Sequence, residues 1–318
     1  MKIKLNILVT GCGGDIGQSI GKILLLSKYT NKLFGIDISD KNPSTFIYPN
    51  FSLGLPCSDP KYLDELISFT KINLIDIIIP ASEPELRFLS ERKVLTMIGK
   101  SKLITASSLS LEIGFDKYKT AKFLESSELP FPKTILNKDL VSLTEFPIIL
   151  KSKCGNGGKN NYLINTKEEY TFYSKKSKED LIVQEFIPST KGEFTCGLFR
   201  SKSGKIRSII FERELYGGYS GYGEVVKNEN IKLLLENLAI SLNLIGSINV
   251  QLRFSEKNKP MIFEINPRFS STVLFRHLLG FEDLIWSIED VLGQEINNYL
   301  DDNQIGRKFY KGFSEYIK

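Results

Sequence analysis

The chain has 318 residues, 42% hydrophobic and 25% charged, the composition of an ordinary globular protein with room for two or three domains. Its 42 Lys and Arg against 37 Asp and Glu leave a net charge of +5 without a basic run, so no nucleic-acid footprint is present. Cys12, Cys57, Cys154 and Cys196 lack metal-ligand spacing, the longest apolar runs are strand-sized, and no secretory pattern opens the chain; the reading is a reduced, cytoplasmic protein with no membrane partner.

Residues 3–105 alternate strand and helix signals. Strands are predicted over 3–10, 32–38, 74–80 and 102–105, and helices over 15–28, 62–71 and 84–93. Such alternation implies a parallel sheet with helices on both faces, whose ligands sit outside the carboxyl ends of the strands. A helix follows over 116–126 with Asp116 as its N-cap, then an extended exit over 131–134. A small α+β unit comes next, with a strand over 147–152, a glycine-rich loop over 154–159, a strand over 161–164, a helix near 167–174 and a strand over 181–186. From 191 onward strands dominate, over 192–200, 205–213, 245–254 and 260–266. They are broken by a helix over 229–242 and followed by helices over 272–279 and 282–292. The tail over 307–317 alternates aromatic and polar residues and reads as a last strand. No internal repeat is present.

The segments NVQLRFS (249–255) and PMIFEINPR (260–268) read as adjacent strands joined by the polar turn EKNK. The side-chain period of two puts Glu264 and Asn266 on one face with Arg268 next in line, and Gln251 can point into the same space. One carboxylate and two amide oxygens are hard ligands suited to Mg²⁺ rather than Zn²⁺, and a neighbouring arginine suits a phosphate held by that metal. Lys151 stands at a strand end before the loop carrying Gly155, Gly157 and Gly158, an arrangement fit for phosphates although not a Walker A loop. In 181–199, Gln184, Glu185 and Ile187 are placed for an adenine edge and Glu193 for a ribose.

A rival reading starts from Thr10-Gly11-Cys12-Gly13-Gly14-Asp15-Ile16-Gly17, a T-G-x-x-G-x-x-G turn at a helix N-terminus. It resembles short-chain dehydrogenases and sugar-nucleotide epimerases. Asp37 then stands where a ribose-binding acid would, and Tyr118 and Lys122 supply the Tyr-x-x-x-Lys spacing. The same turn can equally be structural.

The order of the pieces decides between these readings. Asp116-Lys117, Lys151 with its loop, 183–187, Glu193, Gln251 and Glu264-x-Asn266-Pro267-Arg268 together resemble the ATP-grasp superfamily. The likeness is to the branch containing the synthetase halves of the carbamoyl-phosphate synthase large subunit, and it extends over the whole chain. The resemblance implies a Rossmann-like parallel sheet over 1–113, a small ATP-grasp lobe with a glycine-rich lid over 114–188, and a large lobe with the metal site over 189–318. It implies ATP and one or two Mg²⁺ (with Mn²⁺ able to substitute), Lys117 and Lys151 on the phosphates, and Gly155, Gly157 and Gly158 closing over them. Gln184, Glu185, Ile187 and Glu193 would hold the nucleoside, Gln251, Glu264 and Asn266 the metal, and Arg268 the transferred phosphoryl group. Many relatives carry an acid where Gln251 stands. The chain is far shorter than carbamoyl-phosphate synthase, so a stand-alone ligase joining a small carboxylate to an amine through an acyl phosphate is expected, with homodimerisation a family-level expectation. Glu83 is a candidate for a substrate amine or hydroxyl and Arg213 for a carboxylate; His277 is given no catalytic role. A non-catalytic ATP-binding protein is the remaining alternative.

Overall fold

The structure, a computed structural model, describes residues 3–140, 145–155, 161–177, 179–296, 304–312 and 314–317. Three sheets succeed one another along the chain. The first begins with β1 (Leu5–Thr10), α1 (Asp15–Leu25), β2 (Thr30–Asp37), α2 (Ser44–Ile47) and β3 (Asn50–Leu53). It continues with α3 (Tyr62–Ile72), β4 (Ile77–Pro80), α4 (Glu83–Glu91), β5 (Met97–Ile98) and β6 (Ser101–Leu103). The strand order is β3-β2-β1-β4-β6-β5, parallel except for the β5–β6 hairpin. Strand β1 is apolar on both faces because both are covered: Ile7 and Val9 pack with the α1 side chains Ile20 and Leu24, while Leu8 packs with Tyr62 and Leu66 of α3. The order reverses between β1 and β4, where Thr10 pairs with Pro80, so a crevice opens at the carboxyl ends of these two strands.

Two helices, α5 (Ser108–Gly114) and α6 (Lys117–Ser126), lead to the second sheet. Asp116 caps α6 by accepting from the Tyr118 and Lys119 N–H groups. The second sheet contains β7 (Thr134–Leu136), β8 (Ile148–Ser152), β9 (Asn161–Ile164) and β10 (Leu181–Glu185) in the antiparallel order β7-β10-β8-β9, with α7 (Lys167–Lys176) inserted before β10.

The third sheet has the antiparallel order β15-β14-β11-β12-β13-β16. Its first members are β11 (Glu193–Arg200), β12 (Ile206–Tyr216) and β13 (Tyr219–Val225). After α8 (Glu229–Ser241) come β14 (Gly246–Phe254), β15 (Pro260–Asn266), α9 (Val273–Leu278), α10 (Asp283–Val291) and β16 (Lys308–Tyr310). Along β11 alternate side chains serve different layers. Phe194, Cys196 and Leu198 join Leu235 and Leu238 of α8, whereas Phe199 joins Trp286 of α10. On that second face the helices cover only one end of the sheet; Glu193 and Thr195, nearer the other end, line a cleft.

The predicted elements are present with shifted ends; the first helix, for instance, stops at Leu25 rather than at 28. Strands β3, β5 and β13 and helices α2 and α5 were not anticipated. Strand β3 is four residues without a fully buried side chain, and β13 carries Gly221 and Gly223, which leave neither an apolar run nor alternation to read. The tail contributes three strand residues, fewer than its alternation suggested. Among the described residues no helix is long and apolar enough to cross a membrane.

Candidate active site

Strands β14 and β15 bring the metal-type ligands together by register. Gln251 pairs with Glu264 and Asn249 with Asn266, and the ladder shifts immediately beyond Gln251. Paired residues share a face, so the Gln251 amide and the Glu264 carboxylate stand side by side. No described residue donates a hydrogen bond to Glu264, although it is only partly exposed. A half-buried carboxylate left without a donor, beside the amides of Gln251 and Asn266, fits a hard divalent cation. Gln251 Oε1 already accepts from Arg213 Nη2 at 2.8 Å, and Asn266 Oδ1 receives only a 3.4 Å contact from Arg268 Nη2.

Arg268 follows directly on β15. Its Nη1 donates to the Phe269 carbonyl oxygen (3.1 Å) and its Nη2 lies 3.7 Å from Glu83 Oε2 across the cleft. The segment after Arg268 is held from behind by a fully buried guanidinium. Arg276 donates to Asp283 Oδ2 (2.8 Å), Asn249 Oδ1 (2.6 Å), Ser270 Oγ (2.6 Å) and Thr272 Oγ1 (3.1 Å). Gly197 makes room for it, since a Cβ there would lie 2.9 Å from Arg276 Cδ and Nε. Asp283 also accepts from Ser247 Oγ (2.6 Å), so the buried pair is embedded in hydroxyl and amide partners. This support was not found in the sequence, where an arginine on an apolar helix gives no spacing signal.

On the second sheet Lys151 Nζ donates to Gln184 Oε1 (2.9 Å) and approaches the Phe263 carbonyl oxygen of β15 (3.5 Å). Burial draws its pKa down to about 8; Glu264 pulls it back up, and Lys117 and Arg253 push it further down. Gln184 also donates to Thr134 Oγ1 (2.9 Å), so its amide is fixed toward Lys151 rather than left free at the hinge. Glu185 pairs with Lys133 through backbone and side chain. The Ile187 carbonyl oxygen accepts from Arg253 Nη1 (2.8 Å). Lys117 reaches the Gly155 carbonyl oxygen (2.7 Å) at the start of the glycine-rich loop. Gly157 and Gly158 lie outside the described residues.

Glu193 is buried between two arginines. Its Oε1 accepts from Arg213 Nε (3.2 Å) and Nη2 (2.9 Å), and its Oε2 from Arg253 Nε (2.9 Å) and Nη2 (2.5 Å). Burial opposes its charge, yet the two guanidiniums hold the carboxyl below its usual range. Arg213, expected at an acceptor carboxylate, is thus occupied by Glu193, Gln251 and Ser220 Oγ (3.1 Å).

The opposite wall comes from the first sheet. Glu83 opens α4 and is bound by Arg87 (2.9 Å) as well as facing Arg268. Glu85, which the sequence reading did not single out, is buried and accepts from Thr10 Oγ1 (2.6 Å) and the Tyr62 hydroxyl; burial raises its pKa. In the glycine turn the Gly13 N–H donates to Asp37 Oδ2 (2.7 Å), and a Cβ on Gly17 would lie 2.5 Å from Cys12 Cα, so Gly17 serves close helix–strand packing. Tyr118 and Lys122 sit on α6 with Lys122 paired to the exposed Glu125, and neither lines the cleft. His277 faces Glu282 (3.9 Å).

A cleft of about 1000 Å³ unites Glu83, Glu193, Arg213, Gln251, Glu264, Asn266 and Arg268 with the crevice of the first sheet. Lys117, Lys151, Gln184, Glu185 and Ile187 belong to the second sheet and its approach and lie beyond that lining.

Residues 115–272 match a family model described as an ATP-grasp domain. The N5-carboxyaminoimidazole ribonucleotide synthase of Saccharolobus solfataricus is 27% identical over 178 residues, 51% of this chain and 47% of that one. The carbamoyl phosphate synthase large chain of Acidobacterium capsulatum is 22% identical over 239 residues, 68% of this chain and 22% of that one. The matches thus span less than half the length of either relative. Among solved structures, an ADP complex of N5-carboxyaminoimidazole ribonucleotide synthetase superposes with a TM-score of 0.76 at 16% identity, covering 96% of this chain and 80% of the other, a likeness of fold.

Proposed function

Because the chain belongs to the ATP-grasp superfamily, we propose that it is an ADP-forming ligase that activates a small carboxylate with ATP and transfers it to an amine. The observation that carries this reading is the Glu264 carboxylate, without a donor among the described residues and in register with Gln251, next to Asn266 and Arg268. Gln251, Glu264 and Asn266 would hold Mg²⁺, which when bound neutralises the charge gathered on the ATP phosphates. Lys151 and Lys117 would meet those phosphates from the second sheet, and Arg268 the phosphoryl group in transit. A carboxylate oxygen attacks the γ-phosphorus, the bond to the β–γ bridging oxygen breaks, and ADP leaves with an acyl phosphate formed. The amine nitrogen then attacks the acyl carbon and phosphate departs, the nitrogen losing one proton to leave an amide. Ile187 and Glu193 would meet the nucleoside.

The name of the Saccharolobus solfataricus relative specifies a carboxylated amine as product, so bicarbonate stands among the acids this cleft is proposed to accept. The chain is tested by screening acids, bicarbonate included, against amines for ADP release. Release that depends on one acid–amine pair and disappears in Arg268→Ala is the expected result. Nucleotide turnover that needs neither an acid nor Arg268 would defeat the proposal.

A further inference from the structure

The acceptor proposed for the ribose, Glu193, and one of the three proposed for the metal, Gln251, are both already occupied, and by the same side chain. Glu193 receives four donors on two oxygens, which fills the roughly four acceptor positions of a carboxylate. Gln251 Oε1 is taken by the same Arg213 Nη2 that binds Glu193. A ribose hydroxyl at Glu193 therefore needs one guanidinium to withdraw, and a divalent cation at Gln251 needs the positive Arg213 to leave its ligand oxygen.

The two arginines are not equivalent. Arg253 is anchored elsewhere, donating to the Ile187 carbonyl oxygen and lying over the Phe263 ring with 5.4 Å to its centroid. Apart from Glu193 and Gln251, the only partner of Arg213 among the described residues is the Ser220 hydroxyl (3.1 Å). Its strand loses register one residue further on, between Glu214 and Leu215, before the turn at Gly217 and Gly218.

We propose that Arg213 is an internal stand-in for the ligands, holding Glu193 and Gln251 in the resting chain and displaced when the nucleoside and the metal take those oxygens. This rests on the nucleotide reading of the cleft. It makes Arg213 a positioning residue that keeps a buried carboxylate paired until nucleotide arrives, while Arg253 keeps its grip throughout. A guanidinium released in this way becomes free for an anionic second substrate, so nucleotide binds before acid.

The test is calorimetric titration of the full chain with adenosine and with 2′,3′-dideoxyadenosine, neither of which offers Arg213 a phosphate. Arg213→Met is expected to bind adenosine about tenfold more tightly than wild type, the worth of one charge-assisted hydrogen bond no longer broken on binding. That gain should vanish with the dideoxynucleoside, a dependence that a merely structural change would not produce. Arg213→Lys keeps the charge without the fork and is expected between the two, which covers the case in which the methionine variant does not fold. Arg253→Met should instead weaken both nucleosides. Adenosine binding equal to or weaker than wild type in a folded Arg213 variant, with ADP still bound by wild type, overturns this proposal alone. Absence of ADP binding in wild type and variants alike overturns the nucleotide reading along with it.

Discussion

Gln251 and Glu264 face each other in direct register across β14 and β15, and the ladder slips one residue beyond them. An amide and a carboxylate are thereby presented at the same height on one face, with no described donor on the carboxylate. Glu264→Gln removes the charge and keeps the shape. It is expected to weaken metal-dependent nucleotide binding by at least about 100-fold while leaving the unfolding temperature near that of wild type. Calorimetry with and without Mg²⁺, beside a thermal melt, checks both halves.

If Lys151 meets the ATP phosphates as proposed, binding should depend on pH. With its pKa lowered to about 8, the ammonium is present below that value and lost above it. ATP affinity should therefore be flat on the acid side of about 8 and fall as pH rises through it. Lys151→Met should bind more weakly at pH 7 and lose this inflection. A titration of the ATP dissociation constant between pH 6.5 and 9.5 on both chains reads it out.

Arg276 is the structural counterpart of the site. Removing it leaves Asp283 buried without its charge partner, so Arg276→Met is expected to destabilise the chain by about 3–5 kcal/mol. Replacing both members with apolar residues should recover part of that loss. Urea unfolding of the two single variants and the double variant measures the coupling.

Two glycines of the turn, Gly14 and Gly17, should respond differently. A Cβ on Gly17 collides with the Cys12 backbone, so Gly17→Ala is expected to cost about 1–3 kcal/mol. A Cβ on Gly14 meets nothing within 4 Å, and Gly14→Ala should change stability by less than about 0.5 kcal/mol. Equal losses at both positions in a denaturant series would show that packing does not set the requirement.

The βα alternation and the apolar β1 were legible because burial on both faces leaves continuous apolar runs. The hairpin with Gln251, Glu264 and Asn266 was legible because period-two alternation fixes a shared face before any contact is known. What sequence spacing could not supply was competition between side chains. Glu193 and Arg213 are 20 residues apart and were assigned to different ligands, yet in the structure each is the other's partner. Gln184 was placed at an adenine and is instead held between Lys151 and Thr134, a pairing set by sheet neighbours that only the β7-β10-β8 order reveals. Arg276 and Glu85 are buried polar groups whose partners come from distant segments, and neither belongs to a short motif.

Whether Glu264 grips a divalent cation beside the nucleotide is decided by a crystal structure with ADP and Mn²⁺, using anomalous scattering to place the metal. An anomalous peak bounded by Glu264, Gln251 and Asn266, with the nucleotide phosphates against it, is the expected result. A peak remote from Glu264, or ADP seated solely on the turn between Gly11 and Gly17, would contradict it.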